Sequence, residues 1–373
     1  MYASNNLHAL HECRYNFYIS LDEYFWYKGD WKKMKIGIAG LGIYLPKTKM
    51  TAKEISKQTK GVWSEEAVIH KLGIIEKTIP AKGDGTQEMG VKAALDALED
   101  AGMQPEEIDV ILCMGEEWKE YPLTTSALYI QGQIGAKNAW GIDVQNRCCT
   151  SISALKMAKD MLLADEDVNA VMVVGGYRNG DFVDYTDADM SFMYNLSAGA
   201  GAVILKKGLH KNLLLGSHIK GDGRFARDAG VEIGGINVPF TAENVAEGYK
   251  SLRIMNSKHM KDGLNQISMP NWYECIDQAL KKSGFSRKDI DYCSILHIKK
   301  SMHNLMLKEL GLEETQAIYL SNYGHMGQVD QILSLKLALE AGKVKEGSVI
   351  LSIAAGIGYV WAANVIRWGE HKG

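Results

Sequence analysis

Nowhere does this chain hold an apolar run approaching the roughly 18–20 residues that a membrane-spanning helix needs, so no membrane association is expected. Its net charge of −3 leaves no basic excess of the kind a nucleic-acid-binding face requires. The six cysteines, at positions 13, 113, 148, 149, 275 and 293, have neither the spacing of zinc ligands nor that of a small secreted disulfide framework. No metal is therefore expected, and a reduced cytoplasm is the expected compartment. A nucleotide-binding glycine fingerprint is also missing. Residues 1–33 lack helical or strand periodicity, and Asn5, Asn6, His8 and His11 break any signal-peptide run. They read as an extension outside the core, preceding a natural start at Met34; the competing reading is a segment that covers a neighbouring subunit.

What the chain does contain is a copy of itself. Ala97-Leu98-Glu99-Asp100-Ala101-Gly102-Met103, running on to Ile108–Cys113, matches Ala279-Leu280-Lys281-Lys282-Ser283-Gly284-Phe285, running on to Ile290–Ile295, at an offset of 182 (279 minus 97). Leu155–Ala158 matches Leu335–Ala338, and Val173–Gly176 matches Ile353–Gly356, both at 180 (335 minus 155). Two copies of this size are too large for a solenoid repeat and too few for a propeller. A chain of 373 residues that is 46% hydrophobic has material for two cores. The reading is two α/β halves, 34–210 and 211–373, about a pseudo-twofold axis.

Periodicity predicts strands at 35–43, 108–114, 139–144, 169–175 and 200–206 in the first half. Helices are predicted at 51–60, 64–71, 86–102, 122–134 and 150–164. The second half shows strands at 212–219, 291–298, 316–320, 347–354 and 358–366, with helices at 271–284, 299–310 and 326–341. The glycine-punctuated stretch 220–265 is the largest excess of one half over the other and reads as a tunnel-shaping or subunit-contact insertion.

Asp143–Ile152 runs from a strand into a helix beginning near Thr150. A thiol at a helix N-terminus meets free N–H groups and the positive end of the dipole, which favour thiolate. Cys148 or Cys149 thus qualifies as a nucleophile, against the alternative of a small packing residue. The duplication indicates where the other half contributes. Shifting Cys148 by 180 lands in Asn322–Asp330, a polar loop opening a helix; shifting Cys113 by 182 to 184 lands on Ile295–His297. Cysteine, His297 and Asn322 are expected to converge from three strand ends.

These segments together resemble the thiolase superfamily of condensing enzymes, closest to beta-ketoacyl-acyl-carrier-protein synthase III, over Lys35 to about Trp368. Asp143-Val144 followed by Cys148 is similar to that family's nucleophile segment and selects Cys148 over Cys149. Ile295-Leu296-His297 resembles the segment of its catalytic histidine, Ser321-Asn322 the site of its asparagine, and Ser352–Trp361 its C-terminal glycine-rich strand pair. The resemblance implies a doubled α-β-α-β-α layered fold and a homodimer. It implies a ping-pong acyl transfer in which Cys148 takes an acyl group from a coenzyme A or carrier-protein thioester. Backbone N–H groups of Cys148 and Ile357, in the Gly356–Gly358 turn, would hold the oxyanion. His297 and Asn322 would stabilise the enolate of a decarboxylating malonyl-type thioester. Coenzyme A enters as part of a substrate, and no cofactor is implied.

The chain departs from the pattern in places. Asn146-Arg147 and Cys149-Thr150 replace the usual small residues around the nucleophile, and Lys71 corresponds to an arginine that family members use near the pantetheine entrance. His325 is open to three readings: a second acid/base group, a carboxylate-binding donor, or helix-cap packing. Glu116, Glu117 and Glu120 lie near the general base of the hydroxymethylglutaryl-CoA synthase and head-to-head condensing branches, against a solvated charge run. A glutamate turned inward would make the condensation non-decarboxylating. A catalytically quiet scaffold subunit is the third reading, opposed by the intact Cys148, His297 and Asn322. Lys299, Lys300, Lys206 and Lys207 are candidates for docking an acidic carrier protein.

Overall fold

Alternation of short apolar strands with amphipathic helices produces a layered arrangement in the computed structural model, which describes residues 34–115 and 118–371. The expectation for residues 1–33 lies outside the described residues. In chain order the strands are β1 (Ile36–Tyr44), β2 (Lys49–Thr51), β3 (Glu76–Thr78), β4 (Val110–Met114), β5 (Trp140–Val144), β6 (Ala170–Tyr177) and β7 (Gly199–Lys207). They continue as β8 (Lys211–Gly221), β9 (Ala229–Val231), β10 (Leu252–Ile254), β11 (Tyr292–Ile295), β12 (Val349–Gly356) and β13 (Val360–Glu370). The principal helices are α1 (Ala52–Gln58), α2 (Thr86–Ala101), α3 (Ser126–Ile134), α4 (Thr150–Ala164), α5 (Ser257–Ser283), α6 (Lys300–Leu310) and α7 (Asp330–Glu340).

The main sheet runs β11-β12-β13-β8-β1-β7-β6-β4-β5. From its centre outward, the first half reads β1-β7-β6-β4-β5 and the second reads β8-β13-β12-β11, the same order reflected through the pseudo-twofold. The halves join where β1 pairs antiparallel with β8 at Gly37 and Leu213. Every residue of β4 and β6 is buried, as parallel strands covered on both faces require. Helices α4 and α7 each pack against strands of both halves, so they form a central layer, with α2 and α5 outside on β1 and β8 respectively. This is the doubled α-β-α-β-α arrangement expected from the sequence, with the described residues from Lys35 onward forming one compact unit.

Three elements differ from expectation. Helix α5 begins at Ser257, with the Asn256 side chain accepting from His259 N–H at 3.3 Å, and runs through Pro270. Proline is disfavoured inside a helix, yet this helix runs through it and starts well before the expected limit at 271. No strand forms over 316–320: a 3-10 turn covers Glu314–Gln316, and the Gln316 amide donates to the Ile290 and Asp291 carbonyls (3.1 and 3.3 Å) ahead of β11. The expected helix at 64–71 is a short turn, Glu65–Ala67, continued as a π-turn over Val68–Leu72.

Candidate active site

The strand β5 ends at Val144 and the chain must reverse into α4 within five residues. Arg147 takes φ 51°, a left-handed conformation that is costly for a side chain bearing a Cβ. Thr150 holds the turn: its hydroxyl accepts from Asn146 N–H at 2.8 Å and donates to the Arg147 carbonyl at 2.5 Å. Asn146 adds a bond from its amide to the Ser153 hydroxyl at 2.7 Å. The two cysteines that follow face different surroundings. Cys149 is fully buried, its sulfur 3.5 Å from the Val360 carbonyl, and burial pushes its thiol well above the usual range. Cys148 is half-buried, and only this thiol is placed to become a nucleophile.

Against Cys148 lies His325, with Nε2 3.2 Å from the sulfur. The His325 Nδ1 is 2.5 Å from Oδ2 of Asp330, the first residue of α7. Asp330 is fully buried, and its other oxygen accepts from Met326 N–H at 2.7 Å. The His325 backbone is clamped as well, its N–H donating to the Asn195 carbonyl (2.7 Å) and its carbonyl accepting from Ser197 N–H (2.9 Å). Two glycines permit the approach. Gly324 takes φ 77° with a Cβ position 2.6 Å from the Asn195 carbonyl oxygen, and Gly327 takes φ 54° against the Tyr177 ring. Burial alone would depress the His325 imidazole. The Asp330 carboxylate and the Cys148 sulfur override it and hold the ring well above the usual histidine range.

His297 sits just beyond β11 in the same network, its backbone N–H donating to Asp330 Oδ2 at 2.7 Å. Its ring is buried and stacked on Tyr319, with centroids 5.0 Å apart. The Asn195 amide donates to Nδ1 at 2.9 Å, leaving the proton on Nε2, 3.3 Å from the Gly73 carbonyl. Burial pulls this imidazole down to about 4, with Asp330 opposing and His325 adding to the shift. The site therefore pairs one histidine biased toward imidazolium with one held neutral.

Asn322, expected to act here, is an exposed turn residue, and the group that meets the thiol is His325, three residues on. The physical reason is the cap: Asp330 ties Met326 and His325 into the helix start, so the loop offers the thiol the residue beside the cap. At the C-terminal end of β12, Gly356 has a Cβ position 3.1 Å from Cys148 N and 3.0 Å from Arg147 Cβ. A bare backbone there leaves the Cys148 N–H uncrowded. Ile357 is half-buried beside it, and Gly358 takes φ 127° with open space around its α-carbon. Lys71 is exposed at the end of the π-turn, two residues before the Gly73 carbonyl that meets His297.

Glu116 and Glu117 lie outside the described residues. Glu120 caps α2, accepting from Gln87 N–H at 2.8 Å and the Thr86 hydroxyl at 3.2 Å. Burial and the neighbouring Glu88 raise its carboxyl, and its oxygens are engaged at that helix rather than at the thiol. Lys206 and Lys207 pair with the N-terminal ends of the parallel strands, Lys206 opposite Ala170, whereas the thiol follows their C-terminal ends. They are at the wrong pole for docking at this site. Lys299 and Lys300 open α6, two and three residues past His297.

Sequence reasoning overlooked Asp330, Asn195 and Lys77. Lys77 is fully buried and donates to the Tyr185 hydroxyl (2.6 Å) and the Tyr194 and Leu196 carbonyls, which brace Asn195 from behind. Burial lowers its ammonium to about 7. For Asp330 a signal existed: the 180 offset maps Thr150 onto Asp330 and Asn146 onto Met326. Both pairs make the same side-chain cap to the N–H four residues earlier.

Known proteins resemble this chain over most of its length. Residues 142–223 match the family model of 3-oxoacyl-[acyl-carrier-protein] synthase III, and residues 280–368 match that of its C-terminal part. Beta-ketoacyl-[acyl-carrier-protein] synthase III of Syntrophomonas wolfei is 27% identical over 344 residues, covering 91% of this chain and 99% of that protein. The Brucella canis protein of the same name is 26% identical over 337 residues, covering 89% and 98%. Among solved structures, 3-oxoacyl-[acyl-carrier-protein] synthase III of Aquifex aeolicus superposes with TM-score 0.75 at 23% identity, covering 89% of this chain and all of that one. A Xanthomonas campestris OleA variant gives 0.75 at 17% identity, covering 90% and 98%, a likeness of fold. With the nucleophile turn inside one matched segment and both histidines inside the other, the comparisons support a thiolase-superfamily condensing enzyme close to 3-oxoacyl-[acyl-carrier-protein] synthase III.

Proposed function

We propose that this condensing enzyme carries its acyl group on Cys148, taken from a coenzyme A or carrier-protein thioester. The acyl-enzyme then undergoes Claisen condensation with a malonyl-type thioester. The observation that carries the reading is the Cys148–His325–Asp330 alignment. His325 takes the thiol proton, the thiolate attacks the thioester carbonyl, and the imidazolium returns the proton to the departing thiol. The N–H groups of Cys148 and Ile357 hold the oxyanion. The malonyl thioester then loses CO2, its enolate attacks the acyl-cysteine, and Cys148 leaves as thiolate. A neutral His297 supports an enolate by turning its Nε2 donation from the Gly73 carbonyl, 3.3 Å away, to the substrate oxygen, because decarboxylation needs charge stabilisation and no proton removal.

The acceptor thioester docks at Lys299 and Lys300 in this reading. A homodimer is proposed from β5, an edge strand that exposes Trp140 (51%) and Ile142 (45%) and so calls for a cover. A reducing, cytoplasmic setting suits the free cysteines 148, 149, 275 and 293, and among the described residues no helix is long and apolar enough to cross a membrane. Intact-protein mass spectrometry after mixing with a panel of acyl-CoAs tests the reading. An acyl adduct is expected on the wild type and absent from Cys148→Ala, and malonyl-CoA should clear it with release of CO2. An adduct that persists in Cys148→Ala would place the acyl group elsewhere and overturn the assignment.

A further inference from the structure

Decarboxylative condensation takes no proton from its second substrate, yet the thiol here faces a base built for proton removal. His325 has Nδ1 held at 2.5 Å by a carboxylate with no exposure to solvent, which points Nε2 at Cys148, 3.2 Å away. The His297 ring has both nitrogens within hydrogen-bonding distance of protein atoms, Asn195 Nδ2 and the Gly73 carbonyl. A single imidazole with a carboxylate behind it therefore addresses the acyl position, the order of groups that serves nucleophile activation in hydrolases and transferases of unrelated folds. Once Cys148 is acylated its proton has left with the departing thiol. His325 has given that proton up and no longer faces a charged sulfur, which leaves a neutral ring with Nε2 beside the acyl sulfur.

We propose that acyl-Cys148 is also transferred to a neutral acceptor bearing a hydroxyl or amino group, giving an ester or amide. The acceptor's O–H or N–H proton moves to His325 Nε2 as its lone pair bonds to the acyl carbon. The tetrahedral adduct collapses, the C–S bond breaks, and the proton passes from Nε2 to the Cys148 sulfur. Asp330 stays ionised throughout and acts as a positioning residue for the imidazole. This inference rests on the acyl-Cys148 reading above.

The test starts from enzyme loaded with butyryl-CoA or octanoyl-CoA, desalted, with the adduct seen by intact mass. Separate portions receive buffer, 1-butanol, 1-butylamine or malonyl-CoA, and loss of the adduct is timed while the small-molecule product is identified. The expected result is loss at least tenfold faster than in buffer with butanol or butylamine, and formation of the butyl ester or N-butyl amide. In preloaded Asp330→Asn enzyme, discharge to butanol or butylamine should fall at least ten times further than discharge to malonyl-CoA. Adduct cleared by malonyl-CoA but no faster by butanol or butylamine than by buffer overturns the inference and leaves the condensing reading standing. Failure to load any acyl group sinks that reading and this inference with it. Equal losses of both discharges in Asp330→Asn would reduce Asp330 to a structural role and likewise count against the proposal.

Discussion

At the scale of single residues, the two buried histidines next to α6 set the response of the molecule to acid. His297 and His303 are each pulled down to about 4 by burial; at His297 the Asp330 carboxylate opposes the shift and His325 adds to it, while at His303 Lys300 and His297 add to it. In the unfolded chain both take up protons near 6.5, so between roughly pH 6.5 and 4 the unfolded state binds more protons than the folded one. Stability is thus full above about pH 6.5 and falls as pH drops through that window, by up to about 3 kcal/mol for each ring. Urea unfolding at pH 7.0 and 4.5 should show this loss, and His303→Gln should remove a comparable part of it. A slope unchanged in His303→Gln would mean that this ring is already charged in the folded protein. The identity of the residue against the thiol belongs to this scale too. His325 and Asn322 both lie in one polar loop, and no local pattern separates them. Packing does, because the Asp330 cap and the Asn195 clamp bury His325 and leave Asn322 outside.

Elements meet at the active site end to end, and their junctions tolerate little. The end of β12 passes so close to the nucleophile turn that a methyl group at Gly356 would stand 3.0–3.1 Å from Arg147 Cβ, Cys148 N and Val360 Cγ1. Such contacts are tight rather than impossible, so the turn must shift by a few tenths of an ångström. Gly356→Ala is expected to slow acylation of Cys148 at least tenfold, since misplacement of an oxyanion donor costs rate directly, while the thermal midpoint moves by only a few degrees. Measuring both separates the two effects, and unchanged acylation would dissociate β12 from the oxyanion site. Most elements were readable from periodicity because their burial follows it: α4 matches its expected limits, and β4 and β12 lie within two residues of theirs. Boundaries failed where a local signal pointed one way and tertiary contacts another, as at Pro270 inside α5 and at Gln316, whose side chain takes the carbonyls ahead of β11.

Across the whole molecule the duplication organises both the core and the edge. Ser151 and Gln331, one repeat apart (331 minus 151 is 180), meet between α4 and α7, the Ser151 hydroxyl donating to Gln331 at 3.1 Å. The outer edge is different in the two halves: β5 flanks the first, and among the described residues no equivalent strand flanks the second. An exposed edge carrying Trp140 and Ile142 is the face proposed to meet a second copy. Placing a charge there, Ile142→Lys, should shift the protein from dimer to monomer in sedimentation velocity without loss of folded signal; a monomeric wild type would rule the interface out. The repeat, the layered α/β class and the cysteine at a strand-to-helix turn all follow from residue order, because offset matches and burial periodicity are local properties of the chain. The Cys148–His325–Asp330 alignment does not. Its members come from opposite halves, some 180 residues apart, and which side chains of two polar loops touch is set only when both central helices pack against strands of both halves and bury one carboxylate behind one imidazole.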